Sequence, residues 1–153
     1  MLVDPEELGM VKVLLAVDGS DAAHRAAEFL VGDARLLREP IEVELVNVRL
    51  PVPNIGLAYS TVVTHDMVAK YYQDEGQQAL LASRELLDAA GVRYNAHILV
   101  GDVAETVVKH AMATQCRMIY IGTRGMSALA NAVLGSIATK VVQRSPVPVV
   151  LVP

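Results

Sequence analysis

The feature that most constrains this chain is Val11 to Val17 (VKVLLAV), a near-continuous apolar run interrupted by one lysine. A run of that kind is a strand covered on both faces, which belongs in a parallel sheet layered between helices. It ends at Asp18-Gly19-Ser20, with Ser20 placed to cap a helix. Ala23, Ala26, Ala27, Leu30, Ala34 and Leu37 then recur at three- and four-residue spacing until Pro40. Ile41 to Val48 (IEVELVNV) alternates as a second strand. Residues 49–64 carry Pro51, Pro53, Asn54 and Gly56 and read as a long irregular connection.

The alternation continues. Asp66 to Ala90 has helical composition, with Tyr71, Leu80, Leu81 and Leu87 offered for burial and Gly91 at the C-cap position. Arg93 to Val100 is a third strand, and Gly101-Asp102 leads into a helix with Val103, Val107, Val108 and Ala111 facing inward. Met118 to Gly122 is a fourth strand, and Val147 to Val152 a fifth after a helix that stops before Pro146. Strands and helices in βαβαβαβαβ order predict one α/β domain over 1–153, a parallel sheet with helices on both faces and right-handed crossovers. Ligands of such sheets bind beyond the strand C-termini, where the strand order reverses. Asp18, Val48 and the segment after Gly122 all lie at strand C-termini, so topology alone brings them to one cleft.

That last segment, GTRGMSALANAVLGS, holds Gly122 and Gly125, then Gly135-Ser136 nine residues later. A glycine-bearing loop between a strand and a helix start presents unpaired amides, and the helix dipole adds positive potential at the same place. The Gly-Lys-Ser/Thr ending of a P-loop is absent, and Gly122 and Gly125 are spaced G-x-x-G rather than G-x-G-x-x-G. Gly122 and Gly125 permit positive φ and leave no Cβ against an anion, Gly135 allows close approach, and Ser136 adds a hydroxyl donor.

Gly-x2-Gly-x9-Gly-Ser, together with VLLAVDGSDAAHRAAEFL, GDVAETVVKHA and SPVPVVLV, resembles the ATP-binding subgroup of the universal stress protein family. The resemblance covers nearly everything except the 49–65 connection. It implies a Rossmann-like, doubly wound five-stranded sheet in the order 3-2-1-4-5. It also implies ATP, ADP or AMP as ligand, with Mg2+ carried on the phosphates. Asp18 would meet the ribose or adenine side, and the backbone around Val48 the adenine edge. Gly122, Gly125, Gly135 and Ser136 would hold the phosphates, joined by the Ile137 amide. The resemblance further implies a homodimer through the last strand, 147–152, whose apolar edge invites pairing. Relatives often carry an acidic residue where this chain has Cys116-Arg117, outside the pocket.

Other readings stand beside these. Asp18 also suits plain turn and capping chemistry, and Arg124 is either a phosphate contact or an exposed loop residue. Ser127 to Arg144 fits one unbroken amphipathic helix, which would weaken binding, whereas a break near Gly135 favours it. His24, His65, His97 and His110 fall on different elements without metal-ligand spacing, so each reads as a surface or packing residue and no metal site is expected. Cys116 is alone, which excludes an internal disulfide. A net charge of −4 argues against non-specific nucleic-acid binding, and no stretch is long and apolar enough to span a membrane. The acidic N-terminus lacks a secretory pattern, and a cytoplasmic setting is expected. The function expected is a nucleotide-binding stress or signalling module with no catalytic residues assigned. A slow ATPase, or a dimeric adaptor working through the 49–65 loop, is the alternative.

Overall fold

A computed structural model describes residues 9–53, 63–125 and 134–153. Its elements run β1 (Val11–Ala16), α1 (Asp21–Leu36), β2 (Ile41–Arg49), α2 (His65–Ala90), β3 (Arg93–Val100), α3 (Val103–Ala113), β4 (Ile119–Gly122), α4 (Ser136–Arg144) and β5 (Val149–Val152). The five strands form a parallel sheet in the order β3-β2-β1-β4-β5, as expected.

Three of the helix starts, those of α1, α2 and α3, have a local cause. The Ser20 hydroxyl accepts from the Ala23 amide at 3.2 Å, Thr64 from Met67 at 3.2 Å, and Asp102 from Glu105 at 3.0 Å. These side chains satisfy donors that have no intrahelical partner. Gly91 ends α2 in the left-handed region at φ 68°, where a side chain would be strained.

The two faces of the sheet carry separate cores. Val13, Leu15, Val43, Leu45 and Tyr120 pack on one side with Ala26, Leu30, Leu80 and Leu87 of α1 and α2. Leu14, Ala16, Val46, Ile119 and Ile121 pack on the other with Ala104, Val107, Ala111 and Val141 of α3 and α4. Consecutive residues of β1 therefore serve opposite cores, which is why that strand has almost no polar positions. Cys116 is a buried free thiol in the second core, and burial pushes its pKa up.

Three expectations need correction. Tyr71 and Leu81 are exposed, because the buried stripe of α2 is Gly76, Ala79, Leu80, Ser83 and Leu87 and both residues fall off it. Leu37 is also exposed, lying beyond the last turn of α1 as its C-cap. The fifth strand begins at Val149 rather than Val147. Ser145 bridges to Val147 through its hydroxyl, and Pro148 has no amide to give a ladder, offering only its carbonyl to the Ile119 amide at 3.0 Å.

Candidate functional site: the cleft at the strand C-termini

β1 lies between β2 and β4, and the chain passes from one side of it to the other through α3. The switch point is therefore above the C-termini of β1 and β4. A cavity of about 410 Å3 occupies it. Asp18, Val48, Gly122, Arg124, Gly125, Gly135, Ser136 and Ile137 all line that cavity. Four separate stretches of chain thus converge where topology places them.

The site is built from the β1 side first. Asp18 follows the strand and its Oδ1 accepts from the Ser20 amide at 2.9 Å, while Gly19 turns the chain at φ 83°. One carboxylate oxygen is thus spent on the turn that also positions the α1 cap. Turn chemistry and cleft position coexist in this residue.

On the β4 side each glycine answers to a different neighbour. A Cβ on Gly122 would sit 2.8 Å from the Ala22 backbone carbon, so the glycine lets α1 close against the end of β4. A Cβ on Gly125 would sit 3.0 Å from Asp18 Oδ2, bringing the β1 and β4 loops together. A Cβ on Gly135 would sit 2.9 Å from the Thr123 carbonyl oxygen, which already accepts from the Gly135 amide. Neither Gly122 nor Gly125 uses the positive φ that glycine permits. Among the described residues the positive-φ glycines are Gly19, Gly91 and Gly101. These motif glycines act through the missing Cβ rather than through backbone freedom.

Helix α4 starts at Ser136, with Gly135 as an extended N-cap at φ −67° and ψ 155° and no side-chain cap. A single helix running unbroken through Gly135 is thereby excluded; residues 126–133 lie outside the described residues. The first carbonyl bond of the helix is made by Thr139 to Gly135 at 3.0 Å. The amides of Ser136, Ile137 and Ala138 precede it, so they have no carbonyl four residues back within the helix. All three residues line the cavity. The Gly135 amide, in contrast, is committed to Thr123.

Part of the cleft lining is apolar. Ala16, Val46, Val48, Val103, Val107 and Ile121 form its wall. Sequence reasoning named only Val48 among them, although the inward spacing of Val103 and Val107 on α3 was a usable signal. Among the described lining residues, Asp18 and Arg124 are the charged ones, and Arg124 is exposed. An apolar wall together with a polar, donor-rich part is a common layout for ligands with one flat apolar part and one anionic part.

His24 and His65 are surface residues, as expected. His24 is exposed and pairs with Glu28 at 3.6 Å. His97 and His110, on β3 and α3, instead meet at the buried carboxylate of Glu44.

The fold and cleft define a class: a doubly wound α/β protein with a helix N-terminus opening onto the switch-point cleft. The universal stress protein family model matches residues 10–153. The chain belongs to that family. It is 32% identical over 146 residues to a universal stress protein of Thermus aquaticus, covering 92% of this chain and 96% of the relative. It is 28% identical over 141 residues to one of Methanocaldococcus jannaschii, covering 92% and 81%. The fold is similar to the universal stress protein from Archaeoglobus fulgidus in complex with dAMP, with TM-score 0.62, 22% identity, and 95% and 99% of the two chains covered. It is also similar to an Arabidopsis thaliana family protein with AMP bound, with TM-score 0.64, 16% identity, and 93% and 90% covered. Among the described residues no helix is long and apolar enough to cross a membrane.

Proposed function

We propose that this chain binds an adenine nucleotide in the switch-point cleft and acts as a stress-response or signalling module. The observation that carries the reading is the N-terminal turn of α4. Ser136 and Ile137, whose amides have no carbonyl partner within the helix, line the same cavity as Gly122, Arg124 and Gly125. Amides without internal partners at the positive end of a helix suit a phosphate.

In this reading the base lies on the apolar wall, with its edge read by the backbone near Val48. The ribose lies beside Asp18. The phosphates lie on the α4 amides, the Ser136 hydroxyl and Arg124, and Mg2+ arrives on the phosphates of ATP or ADP. The nucleotide-bound relatives from Archaeoglobus fulgidus and Arabidopsis thaliana support an adenine nucleotide as the ligand class.

Holding the nucleotide is favoured over cleaving it. Phosphoryl transfer needs charge stabilisation and a group that orients the nucleophile. The described lining supplies Asp18, already engaged with the Ser20 amide, and one exposed arginine. Occupancy then acts by linkage, stabilising the form that binds. A micromolar dissociation constant corresponds to roughly 8 kcal/mol. The nucleotide pool of the cytoplasm is where such a module would operate.

We also propose a homodimer through β5. It is an edge strand of the sheet, and Leu151 exposes an apolar side chain there. Sedimentation at micromolar concentration is expected to return twice the chain mass of 16.4 kDa, and a monomer mass refutes the dimer.

Calorimetry and thermal shift on dialysed protein test the nucleotide. Saturable binding of AMP, or of ATP with Mg2+, is expected. Absence of both a heat signal and a melting shift would sink this reading and leave the adaptor alternative.

A further inference from the structure

A second constellation lies on the α3 face of the sheet. Glu44 is only 3% exposed on β2, between β1 and β3. A buried carboxylate is costly unless it is paired, and its surroundings are specific. Asn95 Nδ2 donates to Oε1 at 3.1 Å. His97 Nε2 lies 2.6 Å from Oε2, and His110 Nε2 lies 3.0 Å from the same oxygen. The two imidazole rings are tilted by 57° with centroids 4.5 Å apart.

Two features separate this cluster from an ordinary ion pair. Both imidazoles bring Nε2 within 3.0 Å of a single oxygen, leaving the other oxygen to Asn95. Moreover, His97 Nε2 is buried at the atomic level and makes no properly angled hydrogen bond, despite lying 2.6 Å from Oε2. That buried nitrogen therefore has no well-formed hydrogen bond to satisfy it, which leaves it available to a ligand.

We propose that Glu44, His97 and His110 form a binding site for a divalent transition-metal ion of the zinc type. The three ligand atoms lie within 4.8 Å of one another. Tetrahedral zinc bonds of about 2.0–2.1 Å place ligand atoms about 3.3 Å apart, against the 2.6 and 3.0 Å that separate the two imidazole nitrogens from Oε2. Two imidazoles with one carboxylate suit zinc rather than magnesium or calcium, which prefer all-oxygen shells. Asn95 fixes the carboxylate from behind, the outer-shell role that holds a ligand in orientation. The fourth position falls to water, reached past His97, whose side chain is 32% exposed. The ion would tie β2, β3 and α3 together beneath the cleft, sharing no ligand with the proposed nucleotide site.

The test uses the full chain without affinity tags, stripped with EDTA and dialysed. Zinc titrated by calorimetry is expected to bind at one equivalent per chain. Melting temperature is expected to rise by about 5–10 °C at zinc near 100 times Kd. His97→Gln is expected to weaken binding at least tenfold, the His97→Gln/His110→Gln double variant to abolish it, and His24→Gln to leave it unchanged. Cobalt(II) is expected to give the strong visible absorption of a tetrahedral site in the parent only. Circular dichroism and AMP titration report whether each variant is folded; if the double variant is not, the single His97→Gln decides. Absence of saturable zinc binding to the parent, or equal affinity in folded His97→Gln, overturns the proposal.

Discussion

The Gly135 amide donates to the Thr123 carbonyl, and a Cβ on Gly135 would lie 2.9 Å from that same oxygen. The loop between β4 and α4 is thus closed by a contact that only glycine permits, directly before the amides of Ser136 and Ile137.

Gly135→Ala therefore forces the Thr123 carbonyl and the helix start apart. Overpacking of this kind costs about 1–3 kcal/mol, which lowers the melting temperature by roughly 2–12 °C at this size. AMP affinity is expected to fall at least tenfold as the α4 amides move, and calorimetry beside thermal melting reads both effects. Unchanged values for both would show that the loop relaxes freely.

Ser136→Ala separates binding from folding. Ser136 is exposed at the first position of α4, so stability is expected to change by less than about 0.5 kcal/mol. A hydrogen bond to a charged group is worth roughly 1.5–3 kcal/mol, so nucleotide affinity is expected to drop by about one to two decades. A loss below threefold would mean that the hydroxyl does not face the phosphates.

Gly122→Ala tests packing. Its new methyl would meet the Ala22 backbone at 2.8 Å, where neither α1 nor β4 has a flexible side chain to move. Destabilisation of about 1–3 kcal/mol is expected from urea unfolding. A neutral result would contradict the close approach of α1 to β4.

Tyr120→Phe alters the alkaline limb of stability. The Tyr120 hydroxyl donates to Asp33 Oδ2 at 2.9 Å from a nearly buried position, and burial, reinforced by Asp33, raises its pKa well above the ordinary value. A raised folded pKa contributes stability that is complete below the unfolded value of about 10 and is lost as pH climbs beyond it. Phenylalanine is expected to cost about 0.5–1.5 kcal/mol at neutral pH and to remove up to about 1.4 kcal/mol per pH unit of slope above pH 10. Tyr94, whose pKa is also raised by burial and by Asp88, retains its own share of that slope. An unchanged alkaline limb would refute the role given to Tyr120.

Much of this was legible because it is local. The spacing of Ala23, Ala26, Ala27 and Leu30 sets a helix face through the 3.6-residue turn, and VKVLLAV sets a strand buried twice over. The alternation of such segments restricts the sheet to parallel topologies with a cleft at the strand ends, and Asp18, Val48 and Gly122 line that cleft. Leu81 and Tyr71 were misread because apolar character alone does not say which side of α2 meets the sheet.

What the sequence by itself determined was the order of the elements and their parallel packing, since these follow from neighbours along the chain; that α4 opens at Ser136 was decided by the structure. The tertiary structure decided what each motif glycine is for: Gly122 against Ala22, Gly125 against Asp18, Gly135 against Thr123. It also decided the company of Glu44. Residues 44, 97 and 110 meet because β3 pairs with β2 and α3 folds back across that face, and no spacing along the chain encodes distances set by strand order and helix crossing.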